Sequence, residues 1–279
     1  AVCAKNGTTP ANFVKINAAE QYGLTIAGTA VTRTNASDIL GNGVFSYNVY
    51  TNTLTVNGDC TTDQSNVISS KTDGLTIEVT GDSVLTAPDA AIRLLADTII
   101  TGPGKLTLLV SANNYGAIYV TDGAELTIRD AKIDASYTGA RGIGAILGDS
   151  TGESLRIIRS DVNAKAIDHA IFGFTGGITL ENCTITSPQR AVIRGGCILR
   201  SDSTAALEVT IQALWEYDLA IAERTVTSYN ADNILGDGVF SYDASTNTLT
   251  VRGDCTASGG NGLVIENRIK GLTIRVARD

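Results

Sequence analysis

Short triplets with apolar residues flanking an outward one recur along the chain. They are Leu75-Thr76-Ile77, Leu106-Thr107-Leu108, Leu126-Thr127-Ile128, Leu155-Arg156-Ile157 and Ile178-Thr179-Leu180. A second signature sets a small residue before a branched one: Ala91-Ile92, Ala117-Ile118, Ala145-Ile146, Ala170-Ile171 and Ala191-Val192. A third places a branched residue seven positions after three of the triplets, at Ile133, Val162 and Ile185. Period-two alternation of this kind marks strands, and the Gly-, Asn- and Asp-rich gaps between the signatures show no helical period. One coil of three short strands cannot bury its own inward face. Stacked coils about 4.8 Å apart pair every strand with its counterparts and close an aliphatic interior. The pattern therefore predicts an all-β fold, a right-handed parallel β-helix (solenoid), with the five triplets stacked in one sheet.

A longer repeat overlies the short one. Residues 22–61 realign on 217–256 at a constant offset of 195, and 26 of the 40 positions are identical. In each copy Val-Phe-Ser-Tyr precedes Thr-Asn-Thr-Leu-Thr-Val, which reads as a hairpin feeding the first coil, so each unit carries a hairpin-containing head module. The expected organisation is an N-terminal segment, 1–21; a first head with its β-helix, 22–205; and a second head with the start of an incomplete module, 206–279. Residues 201–216 are expected to join the units. The second copy is either a short cap or part of a longer tandem chain, and the second reading is favoured.

Composition supports strands and restricts partners. The chain has 29 Gly, 4 Pro, no Met and a formal net charge of −8. That balance disfavours nucleic acid, whose backbone is held by clustered Lys and Arg. No apolar run approaches the roughly 18 residues of a spanning helix, so membrane insertion is not expected. Ala1-Val2-Cys3-Ala4 lacks the charged and apolar regions of a signal peptide. The five cysteines form no C-x-x-C pair and no metal spacing. Cys183 and Cys197 read as thiols in small core positions, and Cys3 with Cys60 is the one disulfide entertained.

The second head, from Tyr217-Asp218-Leu219 through Asn230-Ala231-Asp232-Asn233-Ile234-Leu235-Gly236-Asp237-Gly238 to Thr246-Asn247-Thr248-Leu249-Thr250, resembles the repeated module of large secreted bacterial β-helix proteins. Those proteins are often labelled carbohydrate-binding. The resemblance covers nearly the whole chain and is specific in the heads. It implies export to a bacterial surface or medium, tandem modules and an adhesive role, and it supplies no catalytic residue.

Candidate chemistry is sparse. Arg268-Ile269-Lys270 matches one short motif of the pectin-degrading hydrolases that share the fold, without their carboxylate motifs on preceding coils. The one histidine, His169, beside Asp168, reads as a turn or surface residue. A loop calcium around Asp149 and Glu153 is a weaker alternative, since calcium needs six to eight oxygens. No catalytic residue, metal or cofactor is expected. If the isoleucines of the second signature point inward, their next neighbours point outward on one face. Arg93, Tyr119, Leu147 and Phe172 would then form a column, with Tyr115 and Phe174 nearby. Aromatic faces at this pitch suit a polysaccharide or surface glycan; otherwise a loop such as 134–143 covers them. The expected function is a non-catalytic extracellular binding or adhesion module. The alternatives are a spacer rod contacting neighbouring modules, and a polysaccharide lyase or hydrolase.

Overall fold

A computed structural model of the protein describes residues 20–111, 115–139, 144–256 and 262–277. The fold is a parallel β-solenoid whose three faces are seven-stranded sheets; among the described residues the only helix is a 3-10 turn at Ala231–Asn233. The first sheet stacks Asn66–Ser70, Ala90–Leu94, Ile118–Val120, Gly144–Gly148 and His169–Phe172 in parallel. The second stacks Thr53–Val56, Leu75–Val79, Thr98–Thr101, Glu125–Arg129, Ser154–Ile158 and Gly177–Glu181. The third runs from Cys60–Thr61 through Ser83–Ala87, Lys105–Val110 and Lys132–Tyr137 to Asp161–Lys165.

In-register pairing turns the sequence signatures into columns. Ile68, Ile92, Ile118, Ile146 and Ile171 lie one above another, all fully buried. Ile77, Ile100, Ile128 and Ile157 stack in the same way in the second sheet, fully buried, and Leu180 ends the column partly buried. Each fully buried aliphatic side chain contributes on the order of 1.5–3 kcal/mol, and the columns form one continuous core.

Three expectations need correction. Four of the five triplets share the second sheet, but Leu106-Thr107-Leu108 belongs to the third, where Leu106 stands on Ile133 and Ile133 on Val162. Its place in the second sheet is taken by Thr98-Ile99-Ile100, whose Thr98 occupies the position of Leu75 and Leu126. Ala191-Val192 leaves the first sheet, because Val192–Arg194 pairs with Cys197–Leu199 as a hairpin. Within the stretch expected only to join the units, Glu208–Ala213 forms a strand inserted antiparallel between Asp161–Lys165 and Cys183–Ser187.

The two heads repeat in detail. Phe45–Asn48 pairs with Thr53–Val56, and Phe240–Asp243 with Thr248–Val251. Asn52 and Asn247 both turn the hairpin at φ 52°. Each accepts a hydrogen bond from a tyrosine hydroxyl, Tyr47 at 2.9 Å and Tyr242 at 3.0 Å. One loop exchanges its charged position and keeps two of its bonds. Gly43 N donates to Asp38 and Val44 N to Asn42; in the second head Gly238 N donates to Asn233 and Val239 N to Asp237.

Burial separates the copies where sequence does not. Ile77 and Val79 are 0% and 1% exposed, whereas Ile274 and Val276 are 51% and 70% exposed. Thr98–Thr101 covers the first pair, and no described strand stacks on the second. The Thr76 amide donates to Asn52 O at 2.9 Å and the Thr273 amide to Asn247 O at 3.0 Å. Hydrogen exchange should therefore be at least about tenfold faster at Thr273 than at Thr76, because protection follows packing rather than the bond alone. Equal protection measured by exchange NMR would contradict this account of the stacking.

Candidate functional site

The outward column of the first sheet has the expected register. Tyr119 pairs with Arg93 on one side and Leu147 on the other, and Leu147 pairs with Phe172. Three inter-strand spacings separate Arg93 from Phe172, about 14 Å along the axis. Its exposure differs from expectation. Tyr119 and Leu147 are 6% and 4% exposed and form, with Ala90, a small cluster distinct from the main core. Tyr115 packs over this cluster, its ring 4.6 Å from that of Tyr119. Two stacked apolar side chains beside open solvent are buried more favourably under a third. The loop 134–143 is in part the third-sheet strand Lys132–Tyr137, and its residues 140–143 lie outside the described residues.

Phe174 does not join the column. It is fully buried in the main core, because the chain turns inward at Gly173, whose φ is 88°. A Cβ there would sit 2.0 Å from Gly148 O, so the close coil-to-coil approach at this corner requires glycine. Arg93, Tyr115 and Phe172 are half-buried and keep part of their surface in solvent.

Arg93 places its guanidinium carbon 5.8 Å from the Tyr119 ring and 5.9 Å from the Tyr115 ring, within cation–π range. Its Nε is buried without a hydrogen-bond partner. His169 opens its strand instead of lying in a turn, half-buried, with its ring 4.8 Å from that of Phe172. Its Nδ1 is also buried without a hydrogen bond, and the nearest carboxylate oxygen, on Asp168, is 3.4 Å away. Burial and then the Asp149 carboxylate push the Tyr119 hydroxyl up to about 12, so it remains protonated across the physiological range.

Glu153 is fully buried and closes a corner. Its carboxylate accepts bonds from Thr151 Oγ1 at 2.6 Å, Thr151 N at 2.8 Å and Gly123 N at 3.0 Å. Burial alone would raise its pKa, but these donors outweigh burial and hold it below the ordinary glutamate value. With its oxygens committed to N–H and O–H groups, Glu153 does not make the loop calcium site with Asp149. Among the described residues no group of three or more His, Cys, Asp or Glu could hold a metal ion. Arg268 of the Arg-Ile-Lys match donates to Glu266 at 2.9 Å in an exposed pair. Cys60, Cys183, Cys197 and Cys255 are free thiols, and Cys3 lies outside the described residues.

Sequence reasoning missed the Arg93–tyrosine contact and the His169–Phe172 stack. Arg93 and Tyr119 are 26 positions apart, so the signal was there only once the coil register was known. Comparison of the chain with protein-family models, curated proteins and solved structures finds no match in any of the three.

Tyr119→Ala or Leu147→Ala should each destabilise the protein by roughly 2–4 kcal/mol, as for large-to-small changes at buried sites. Urea unfolding checks this, and a loss well under 1 kcal/mol would mean the cluster is not packed as described. Glu153→Gln should cost about 1–3 kcal/mol near neutrality. A depressed folded-state pKa stabilises above the ordinary value of 4.5, and that contribution fades as pH falls through the folded value. The gap between wild type and Glu153→Gln should thus narrow towards pH 3, and a pH-independent gap would rule out this role for the charge.

Proposed function

We propose that this chain is a non-catalytic binding or adhesion module of a bacterial surface or secreted protein, taking a polysaccharide or surface glycan along the first sheet's outer face. One observation carries the reading. Among the described residues only two buried side-chain polar atoms have no hydrogen-bond partner, Arg93 Nε and His169 Nδ1, and they sit at opposite ends of this patch. Such atoms cost about 1–3 kcal/mol when left unpaired and call for an explanation. A ligand whose hydroxyls both donate and accept, lying along the axis, would supply partners once the half-buried Arg93 and Phe172 side chains shift to admit it. Arg93, Tyr115 and Phe172 form its contact surface, while Tyr119 and Leu147 are the packed base that holds them. Phe174 takes part only through the core. The head resemblance supports export and neighbouring modules.

The burial of Tyr119 and Leu147 favours a second reading, a stiff spacer in a tandem protein with no ligand on this face. A glycan array probed with the full chain separates the two. Binding should fall at least tenfold in Arg93→Ala and in Phe172→Ala, with the thermal midpoint nearly unchanged. A blank array would leave the spacer, and glycan binding that both variants retain would take the ligand off this face.

A further inference from the structure

Each head carries a concavity at the same place. The first, of about 750 Å³, is walled by Tyr22 and Tyr47 and floored by Ser46 and Thr55. The second, of about 540 Å³, is built from Tyr217, Tyr242, Ser241 and Thr250, the residues 195 positions on. Both volumes lie in the range of small-molecule sites, about 300–1,000 Å³. The tyrosine walls keep their geometry, with ring centroids 5.3 Å apart in the first head and 5.0 Å in the second.

The frames match and the fittings differ. In the first head Ser46 and Thr55 stand opposite each other across the hairpin, and neither hydroxyl bonds to another described residue. Tyr50 rises at the rim, 95% exposed. In the second head Arg252 takes the position of Asn57, and its Nη1 donates to Ser241 Oγ at 2.7 Å. Ser245 replaces Tyr50, and its hydroxyl donates to Asp243 at 2.6 Å.

From this we infer that the first head's groove is a binding site for a neutral saccharide unit, and that the second head holds the same frame without the fittings that bind it. Paired free hydroxyls that both donate and accept, below an exposed aromatic ring, match a sugar's hydroxyls and its apolar face. Glu20 and Arg33 are the two charged residues of the lining and cancel, so a polyanion gains little. An added peptide strand is excluded at this edge. Phe45 O already accepts from Ile39 N at 2.9 Å, and Tyr47 N donates to Ala36 O at 2.7 Å. The inference does not rest on the first-sheet patch.

Saturation-transfer NMR and calorimetry on the full chain test it with cellotetraose, maltotetraose, mannotetraose and tetragalacturonate. At least one neutral tetramer should bind, with one site per chain. Tyr50→Ala and Thr55→Val should each weaken it tenfold or more without shifting the thermal midpoint, and Arg93→Ala should leave it unchanged. Ser245→Tyr combined with Arg252→Asn should raise the stoichiometry to two. A stoichiometry that stays at one would refute the idea that these two positions keep the second groove from binding. The site itself is overturned if no neutral tetramer binds, if only tetragalacturonate binds, or if both first-head variants bind like wild type. Loss in Arg93→Ala instead would move the ligand to the first-sheet patch, leaving the functional reading intact and this groove without a ligand.

Discussion

Backbone pairing between successive coils is the constraint from which the other features of this protein follow. A strand in a solenoid has one partner below and one above, and the ladder sets them in register. Ile92 therefore stands on Ile118 rather than on a neighbour one position away, and every residue after it inherits a fixed place inside or outside. A slip of one position would exchange the two faces of the strand, driving Arg93 and Tyr119 into the aliphatic interior. The hydrophobic columns hold the register from within. The glycine corner at Gly148 and Gly173, where backbones approach too closely for a Cβ, holds it at the edge of the sheet.

The same ladder explains how near-identical sequences meet different fates. The heads share their hairpins, their asparagine turns and their tyrosine pairs, and they even share a loop whose carboxylate has moved four positions between Asp38 and Asp237 while two of its side-chain bonds are kept. These are local devices, built from contacts within some twenty residues, and they form wherever the sequence occurs. Burial is not local. Ile77 is covered because another coil lies on it, and Ile274 is half exposed because no described strand does. A solenoid's stability is a sum of coil-to-coil interfaces, so it cannot be assigned to a single repeat.

Function on such a scaffold depends on what the outer faces carry. The parallel strands hold Arg93, Tyr119, Leu147 and Phe172 in line, and packing then divides them into a dry base and a half-exposed rim. Two unpaired nitrogens on that rim stand out in a chain whose other buried polar side-chain atoms among the described residues are satisfied. The exposed ion pairs elsewhere, Arg156 with Glu181 and Arg159 with Asp130, are bidentate ties between coils. Exposed to solvent and screened by it, such pairs are lesser sources of stability than the core columns. In the heads the division is different: a constant frame is kept and the fittings vary, as Tyr50 and Ser245 illustrate.

The sequence by itself determined the solenoid, the two heads and the outward column, because period-two alternation and a long repeat without gaps are properties of local pattern. It also misled where two columns share one alphabet. Leu106-Thr107-Leu108 looks like the second sheet's triplet and belongs to the third, while Thr98-Ile99-Ile100, which does stack there, lacks the leading leucine. Alternation tells which side of a strand faces in, but it does not say which face of the prism the strand occupies; coil length and corner position decide that. The exposure of Tyr119 and Leu147, the inward turn of Phe174 and the strand Glu208–Ala213 lying antiparallel between two others were decided by the tertiary structure alone. Each depends on what a segment far along the chain does in three dimensions. Tyr115 is close in sequence to Tyr119, yet it can cover that ring only because the next coil has already set Leu147 beside it.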